Sequence, residues 1–516
     1  MPEDGAERET RPVHVVLAAL VSLVGIGLRV RAYAANRSLW LDEAQLALNI
    51  LHRSPRELLE PLSYNQAAPA GFLLLEKLGV RLFGDGEAAL RLVPLLASIL
   101  ALYVLYEVAG DFLRPAERVF VLGLAALAPP LVYYAAEVKQ YSTDALVVLI
   151  ILWAGAEALD RPLTAARALS LAVAGMVGVW LSHAAVFACA GVGLVLVARA
   201  WRRAPRNTVA VVALVIAAWV LSFAAHYSLA LAAVRRSGYL RDFWSAGFPT
   251  VPPRSWADLA WWPRTLLGIF SDPSGLPFPG VAVTAAVLGC VRLAAARRAQ
   301  LAVLLAPVLC LLGAALVHVF PFPTSGSAAT LPLQGRVILF VVPLLLLLIA
   351  AGLGALWASA DRVARAAGQV MAVLLLAGLA VDAARGLAGP TSINELRGLV
   401  ETIATRGQAG DVIVVNEKAR PTLDYYVERE SRAQPALRDL AIVELKGKGQ
   451  WAAFQEQLEG IVAPRVWLVY AHHPDWRSHP DEDQVRAQLE RKGVALVQRQ
   501  APGAALYLFR MDGGRP

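Results

Sequence analysis

The sequence predicts an α-helical polytopic membrane protein that carries a small α/β domain at its C-terminal end. Of its 516 residues, 57% are hydrophobic and only 17% are charged, whereas about 25% of the residues of a soluble domain are charged. About eleven apolar runs approach the roughly 20 residues that a helix needs to cross a bilayer. From about residue 390 the chain changes to short apolar strands separated by helical patterns. We therefore predict a transmembrane domain over residues 1–389 and a soluble α/β domain over residues 390–516.

The apolar runs define the predicted membrane-spanning helices and, with the loops between them, their orientation. The runs centre on residues 13–33, 88–109, 118–135, 143–159, 166–182, 184–200, 208–230, 279–296, 300–320, 337–357 and 368–387. Alternate connections are short and basic, as in "DRPLTAAR" and "RAWRRAPR", so by the positive-inside rule they and the N-terminus face the cytoplasm. The long connections and the C-terminal domain are then extracytoplasmic, and we predict the bacterial inner (plasma) membrane as the location. The net charge of +8 follows the same loops and indicates membrane orientation rather than a nucleic-acid partner.

The first outer loop, residues 34–87, contains two amphipathic stretches that we predict to be helices at the membrane interface. In "LDEAQLALNILHR" the apolar residues have helical spacing, Asp42 and Glu43 lie in the first turn, and Ser38 is a candidate N-cap. Acidic residues in a first turn are ordinary, because they stabilise the helix dipole by about 0.3–1 kcal/mol. At a membrane boundary, however, a partly desolvated carboxylate has a raised pKa and accepts a proton from an alcohol or an amine near neutral pH.

A second charged stretch, "YYAAEVKQYSTD" at residues 133–144, follows the third apolar run. Glu137 and Lys139 are expected at a depth where ionisable groups are rare and usually functional. The alternatives are a surface ion pair, or Lys139 reaching the lipid headgroups. Asp144 is a candidate cap of the next helix.

Two further outward-facing residues are candidates for substrate binding. His183 lies between two spans and titrates in a range useful for catalysis, although a single histidine is more often a packing residue. Arg336 opens the tenth span and is either an interfacial anchor or a fixed guanidinium for a phosphate. Arg235, Arg236 and Arg241 in the loop at 231–278 present the same two alternatives.

The order of these segments resembles the bacterial family 39 glycosyltransferases, which are relatives of the protein O-mannosyltransferases and of the aminoarabinose lipid A transferase. The similarity rests on "LWLDEA", "NQAAPAGFLLLEKL", "RLFGDGEAALRLVPLL", "YYAAEVKQYSTDAL" and "GRVILFVVPLL", and it spans roughly residues 15–390. The resemblance implies a GT-C fold and transfer of a sugar from a polyprenyl-phosphate donor to a lipid, glycan or protein acceptor on the extracytoplasmic side. It implies that Asp42 is the general base, with Glu43 beside it, and that Glu137 is a further catalytic acid. The predicted substrate-binding residues are Gln66, Lys139, Gln140, Tyr141, His183 and Arg336.

The chain departs from the family at one loop, and this bears on metal binding. Many members carry His-Pro-Pro or Glu-Lys-Pro-Pro where this chain has Gln66-Ala67-Ala68-Pro69. Gln is a poor metal ligand compared with His or Glu. A divalent metal ion is therefore left open as a cofactor, but the usual ligand positions are not retained and no metal ligand is predicted. The loss of the family's lysine leaves Lys77 or Lys139 to supply that contact. In the tail, "AHHPDWRSHPDED" contains His472, His473 and His479 without helical spacing, which favours a solvated loop over a metal site.

Two other functions fit parts of the pattern. A transporter or flippase of lipid-linked sugars would share the spans, the groove and the outer basic residues, but its charges would lie near the midplane rather than at the helix ends of one face. A scaffold of an envelope-polysaccharide assembly would keep the fold without the chemistry. A single displacement without a covalent intermediate would make the transferase inverting.

Overall fold

The computed structural model describes residues 3–203, 205–231, 238–324, 334–389, 392–446, 451–471 and 480–511. In the first part of the chain the helices are α1 Glu3–Ala34, α2 Leu41–His52, α3 Ala70–Phe83, α4 Glu87–Leu90, α5 Leu92–Ala109, α6 Pro115–Leu127, α7 Pro129–Tyr133, α8 Tyr141–Asp160, α9 Ala165–Leu181, α10 Ala185–Arg203 and α11 Arg206–His226. They continue with α12 Gly238–Phe243, α13 Trp256–Gly268, α14 Pro279–Ala296, α15 Arg298–Leu316, α16 Val342–Trp357, α17 Arg362–Ala388, α18 Arg397–Arg406, α19 Arg420–Glu430, α20 Trp451–Glu459 and α21 Pro480–Lys492. The strands are β1 Val412–Asn416, β2 Ala441–Leu445, β3 Arg465–Ala471, β4 Gly493–Ala501 and β5 Ala504–Met511.

Helices occupy every position at which a membrane span is predicted. Among the described residues, nine helices are long and apolar enough to cross a membrane, and α6 forms with residues 129–136 a bent pair that counts as a tenth if the pair is one broken span. The fifth predicted span is α9, a shorter apolar helix of 17 residues. The fold class predicted from the sequence, a polytopic helical membrane protein with a small C-terminal α/β domain, is confirmed. The third span is not the single helix expected over residues 118–135, for a reason given below.

The chain divides into two compact units. The first comprises residues 1–35 and 53–389, and the second comprises residues 36–52 and 390–516. The sequence analysis assigned the whole loop 34–87 to the transmembrane domain, whereas the structure groups α2 with the C-terminal unit. Apolar periodicity predicts that one face of α2 is covered, but it does not distinguish lipid from protein as the cover.

The first unit is built around α16, whose spanning window is 94% buried. A helix that is apolar on every side belongs at the centre of a bundle. It packs closely against α14, where a side chain at Gly289 or at Gly352 would collide with the backbone of the opposite helix. Small residues of this kind allow membrane helices to approach within backbone contact.

Helix α3 has the two-sided character expected of an interfacial helix. It buries Phe72, Leu73 and Glu76 within the first unit, while Leu78 and Leu82 on its other face are 50% and 64% exposed. An exposed apolar face on a short helix is typical of a segment that lies along a membrane surface.

The second unit contains a five-stranded sheet in the order β2-β1-β3-β5-β4. Strand β1 pairs in parallel with β2 and β3, whereas β5 pairs antiparallel with β3 and β4. The strands predicted from "DVIVVN", "RVWLVYAHH" and "AALYLFRM" are β1, β3 and β5. Their inward-facing residues form one apolar core with α20 and α21, which is enough for a small α/β domain.

Candidate active site

The candidate site in the first unit begins at a break in the third span. Helix α6 ends at Leu127 and the next helical segment begins at Pro129, with a bend of 61° between them. Pro129 and Pro130 have no N–H to donate, and Ala128 takes the extended conformation (φ −56°, ψ 114°) that a residue before proline prefers. The bend therefore has a local cause in the sequence, and the chain beyond it leaves helical geometry at residues 137–140 before α8 begins.

A fully buried arginine satisfies the backbone at this break. Arg29 of α1 donates to the carbonyls of Ala125 and Ala126 at 3.1 and 3.3 Å and to Ser98 Oγ at 2.8 Å. Ser98 Oγ in turn donates to the carbonyl of Leu131 at 3.2 Å. The last carbonyls of an interrupted helix have no partner within the helix, and in a membrane they need one from the protein. Arg29 is 1% exposed, so it supports the break instead of reaching the headgroups.

The charged residues of segment 137–140 are buried and connected to the loop that carries Gln66. Glu137 is 0% exposed and Lys139 is 5% exposed, which rules out the alternative of a surface ion pair. Lys139 Nζ donates to Gln66 Oε1 at 2.5 Å. The two residues immediately before Gln66, Tyr64 and Asn65, both have positive φ (63° and 53°). Such conformations cost about 1–3 kcal/mol each and cluster at functional sites, so the loop is held in a strained shape that presents Gln66 to Lys139.

Arg336 lies 195 residues beyond Tyr141 in the chain, but it contacts this residue, which comes directly after segment 137–140. It stands in the 3₁₀ turn Gly335–Val341 before α16 and is 7% exposed. Its Nε donates to the hydroxyl of Tyr141 at 3.2 Å, and its guanidinium carbon lies 5.0 Å from the centre of the Trp244 ring. The N–H of the neighbouring Gly335 donates to both carboxylate oxygens of Asp272 at 3.1 Å. Tyr141 and Trp244 hold the guanidinium itself, and Asp272 holds the backbone of the turn that carries it, so Arg336 is a fixed charge rather than a mobile anchor.

Aromatic rings support this arrangement from behind. Tyr134 is completely buried, and its ring meets those of Tyr133 and Tyr141 edge to face with centroids 5.1 Å apart in both cases. The carbonyl of Tyr134 accepts a hydrogen bond from Ser142 Oγ at 2.9 Å. Edge-to-face pairs add about 0.5–1.5 kcal/mol beyond their burial, so the first turn of α8 and the 3₁₀ turn at 134–136 form one rigid support.

The first turn of α8 also presents polar atoms without a protein partner among the described residues. These are Gln140 Oε1, Thr143 Oγ1 and Asp144 Oδ1, on residues that are 4–8% exposed. Asp144 does not cap the helix, because the N-cap position is Gln140 and makes no side-chain cap. Buried polar atoms need a partner, and where the protein supplies none, water or a ligand does so.

The structure places His183 beside a second histidine. The ring of His183 lies 5.9 Å from that of His226, whose Nε2 accepts from the N–H of Ala70 at 3.5 Å. Ala70 begins α3, and Pro69 before it provides no side-chain cap. Burial, together with the nearby His226, lowers the pKa of His183 to about 3. His183 is therefore neutral at pH 7 and packs beside His226, which is the histidine that holds the start of α3.

Asp42 and Glu43 lie in the second unit. Helix α2 begins at Leu41, so both carboxylates are in its first turn as predicted, with Glu43 1% exposed and Asp42 half-buried. Ser38 does not cap α2; its hydroxyl donates to Glu395 at 2.7 Å. The catalytic roles of the two acids stay predictions.

Sequence reasoning missed Trp244 and Asp272, which fix the arginine and its turn. Both lie in the long loop at 231–278, where aromatic and acidic residues are ordinary, and only their contacts with Arg336 and Gly335 distinguish them. Arg235 and Arg236 are outside the described residues, as are His472, His473 and His479; Arg241 is exposed on α12. Within the described ranges, no group of three or more His, Cys, Asp or Glu side chains is arranged to hold a metal ion.

Part of the chain matches a known family by sequence. Residues 67–226 match the family described as dolichyl-phosphate-mannose-protein mannosyltransferase. That segment includes Glu137, Lys139, Tyr141 and His183. No curated protein matches the chain.

Solved structures match nearly the whole chain. ArnT from Cupriavidus metallidurans in the apo state is similar over 96% of this chain and 97% of its own, with a TM-score of 0.54 and 15% identity. The same protein bound to undecaprenyl phosphate gives a TM-score of 0.52 at 14% identity, again over 96% and 97% of the two chains. The archaeal oligosaccharyltransferase AglB from Archaeoglobus fulgidus, in complex with an inhibitory peptide and a dolichol-phosphate, covers 96% of this chain and 74% of its own, with a TM-score of 0.53 and 11% identity.

The structural matches show the fold over almost the full length of the chain, and the family match covers about a third of the chain. The resemblance to family 39 drawn from the sequence motifs is confirmed: the protein is a multi-pass membrane protein with the fold of the GT-C glycosyltransferases, and it resembles the dolichyl-phosphate-mannose-protein mannosyltransferases over residues 67–226.

Proposed function

We propose that the protein is a glycosyltransferase that moves a sugar from a polyprenyl-phosphate donor to an acceptor at the extracytoplasmic side of the bacterial inner membrane. The observation that carries the proposal is the pair of buried cations in and next to segment 137–140, which follows the bent third span. Lys139 lies within segment 137–140, and Arg336 contacts Tyr141 directly after it. The fold resembles that of ArnT, which has been solved with undecaprenyl phosphate bound.

The chemistry of such a donor accounts for two buried cations. The acceptor oxygen attacks the anomeric carbon, a new carbon–oxygen bond forms, and the bond from that carbon to the phosphate oxygen breaks. The bonding electrons leave with the polyprenyl phosphate, which gains negative charge in the transition state. Fixed cations in a water-poor site stabilise that charge more than they stabilise the ground state. Lys139 and Arg336 are assigned this role.

The acidic residues are assigned to proton transfer and to the donor side of the site. In this proposal Asp42 accepts the proton of the attacking acceptor hydroxyl, with Glu43 beside it in the same helical turn. Glu137, two residues from Lys139 and fully buried, is assigned to the donor side. Gln66, Gln140 and Tyr141 would hold the sugar or the phosphate. One displacement without a covalent intermediate inverts the anomeric carbon.

One reconstitution experiment tests the donor and the acceptor. The purified protein is placed in liposomes with radiolabelled undecaprenyl-phosphate hexose or pentose and an envelope extract of lipid and glycan. We expect release of undecaprenyl phosphate with label on an acceptor, and loss of at least about a hundredfold in Asp42→Asn, since a general base supplies about 10²–10⁴ in rate.

The matched control is Asp361→Asn. Asp361 is exposed and caps α17 by accepting from Val363 N and Ala364 N, and Asn caps nearly as well as Asp. Full activity in Asp42→Asn would remove Asp42 as the base. Movement of the labelled lipid between leaflets without release of the phosphate would contradict the transferase and favour a flippase, and neither release nor movement would favour a scaffold.

A further inference from the structure

The acid-bearing helix α2 is built into the C-terminal unit, although it lies more than 300 residues away from that unit in the sequence. Residues 36–52 form one compact unit with residues 390–516. Six residues of α2, from Ala44 to Ile50, are buried there together with Glu43. The partner helix is α19, which follows the first strand of the sheet.

The chain just before α2 is held by a network of hydrogen bonds. Ser38 Oγ donates to Glu395 Oε2 at 2.7 Å, and the same hydroxyl accepts from the N–H of Arg397 at 3.2 Å. Glu395 is itself fixed, because its N–H donates to the carbonyl of Pro502 at 2.9 Å and its other carboxylate oxygen accepts from Ser392 Oγ. Ser38 is 3% exposed, so this anchor is sheltered from water.

A tyrosine hydroxyl fixes the next residue. The N–H of Leu39 donates to the hydroxyl oxygen of Tyr426 at 2.8 Å, and both residues are completely buried. The ring of Tyr426 is held edge to face against Tyr425 at 5.0 Å, with the Arg397 guanidinium 5.9 Å from its centre. A buried N–H needs an acceptor, and here the C-terminal unit supplies it two residues before the helix begins.

The C-terminal end of α2 is held by a weaker contact. His52 Nε2 lies 2.7 Å from Glu428 Oε2, but the two side chains are 53% and 43% exposed. Exposed pairs contribute little, so the fixed end of the helix is the one that carries Asp42.

We propose that the C-terminal unit is the positioning domain of the acidic pair, with Tyr426 and Glu395 as positioning residues for Asp42. This inference rests on the proposed role of Asp42. Only three positions separate Leu39 from Asp42, and the backbone between them enters a helical turn. Fixing Leu39 therefore fixes the direction in which the Asp42 side chain leaves the helix, and a displacement of about 1 Å at a reacting group can cost about a hundredfold in rate.

The test uses two tyrosines of the same unit. Tyr426→Phe removes the acceptor of Leu39, and Tyr507→Phe removes a hydroxyl that donates to Glu482 Oε1 at 2.8 Å, away from α2. Tyr507 is 2% exposed, so both variants remove one phenolic hydroxyl from a buried tyrosine. For Tyr426→Phe we expect kcat to fall about ten- to hundredfold with the donor KM within about twofold, while Tyr507→Phe keeps both values.

Amide hydrogen exchange separates this inference from the proposed function. Exchange at residues 39–44 should be faster in Tyr426→Phe than in the wild type and unchanged in Tyr507→Phe, and Ser38→Thr should retain protection that Ser38→Ala loses. Equal losses of kcat in the two tyrosine variants, or unaltered exchange in Tyr426→Phe, would overturn the positioning role. A wild-type protein without transfer activity would overturn the proposed function and with it the link to catalysis, whereas the exchange comparison would still decide whether Tyr426 anchors α2.

Discussion

The rigid guanidinium of Arg336 gives a prediction that can be worked out from the structure. Arg336→Lys keeps the positive charge but loses the planar fork, and Arg336→Gln loses both. In the wild type the fork is oriented by the hydroxyl of Tyr141 at 3.2 Å and by the ring of Trp244 at 5.0 Å. A planar fork held in this way can give two parallel hydrogen bonds to a phosphate, whereas an ammonium acts as a point charge.

The expected losses follow from the bonds removed. Arg336→Lys forfeits one charge-assisted hydrogen bond of about 1.5–3 kcal/mol, which corresponds to about a 10- to 150-fold weaker Kd for undecaprenyl phosphate at 1.36 kcal/mol per factor of ten. Arg336→Gln forfeits the charge as well and should weaken the Kd by more than about a hundredfold.

The assay measures binding rather than turnover. Fluorescent undecaprenyl phosphate is titrated into protein in nanodiscs, with Arg264→Gln as the control because Arg264 is an exposed arginine on α13 in the same unit. A Kd for Arg336→Lys within about twofold of the wild type would refute the idea that the fork holds the phosphate, and so would an equal loss in Arg264→Gln.

Three other predictions concern stability. Arg29→Met should lower the unfolding temperature in detergent, because it removes the guanidinium and leaves the buried carbonyls of Ala125 and Ala126 without a donor. Each unsatisfied carbonyl should cost about 1–3 kcal/mol of stability. An unchanged unfolding temperature would contradict the supporting role of Arg29. Burial raises the pKa of Glu76 well above its usual range. The stability gained from its protonated form is therefore present below about pH 4.3 and is lost as the pH rises through the folded pKa. Glu76→Gln should unfold at a higher temperature than the wild type at pH 8 but not at pH 4, and the exposed control Glu60→Gln should differ from the wild type at neither pH. Burial acts to raise the pKa of Asp411, but its hydrogen bonds, above all those from Arg465, outweigh burial and lower the pKa. The C-terminal unit should therefore keep this stabilisation above about pH 3.9 and lose it as the pH falls through the folded pKa. Asp411→Asn should lower the free energy of unfolding, followed by circular dichroism, by about 3–5 kcal/mol, and a loss below about 1 kcal/mol would contradict a stabilising role of the buried pair.

The sequence was most informative where a single physical property decides the structure. Hydropathy over some 20 residues is sufficient to place the spans, and the rarity of charges at membrane depth indicated Glu137 and Lys139 as candidates. Short continuous apolar runs identified β1, β3 and β5, which are buried, but not β2 or β4, whose more polar sequences follow their greater exposure.

The features that were missed depend on contacts between distant segments. The break at Ala128 had a local signal in Pro129-Pro130, but apolar content alone predicted one span across it. Nothing local in "GRVILF" or in the loop at 231–278 indicates that Trp244 faces Arg336. The docking of α2 likewise depends on Tyr426, far along the chain, and no periodicity in residues 41–52 identifies that partner.

The most direct test of the account is to locate the donor phosphate on the protein. An undecaprenyl phosphate analogue with a photoreactive diazirine next to the phosphate is incubated with the reconstituted protein, irradiated, and the labelled peptides are identified by mass spectrometry. The account predicts labelling within residues 134–144 and 335–341, competed by unmodified undecaprenyl phosphate. Competable labelling confined to other parts of the chain would contradict it.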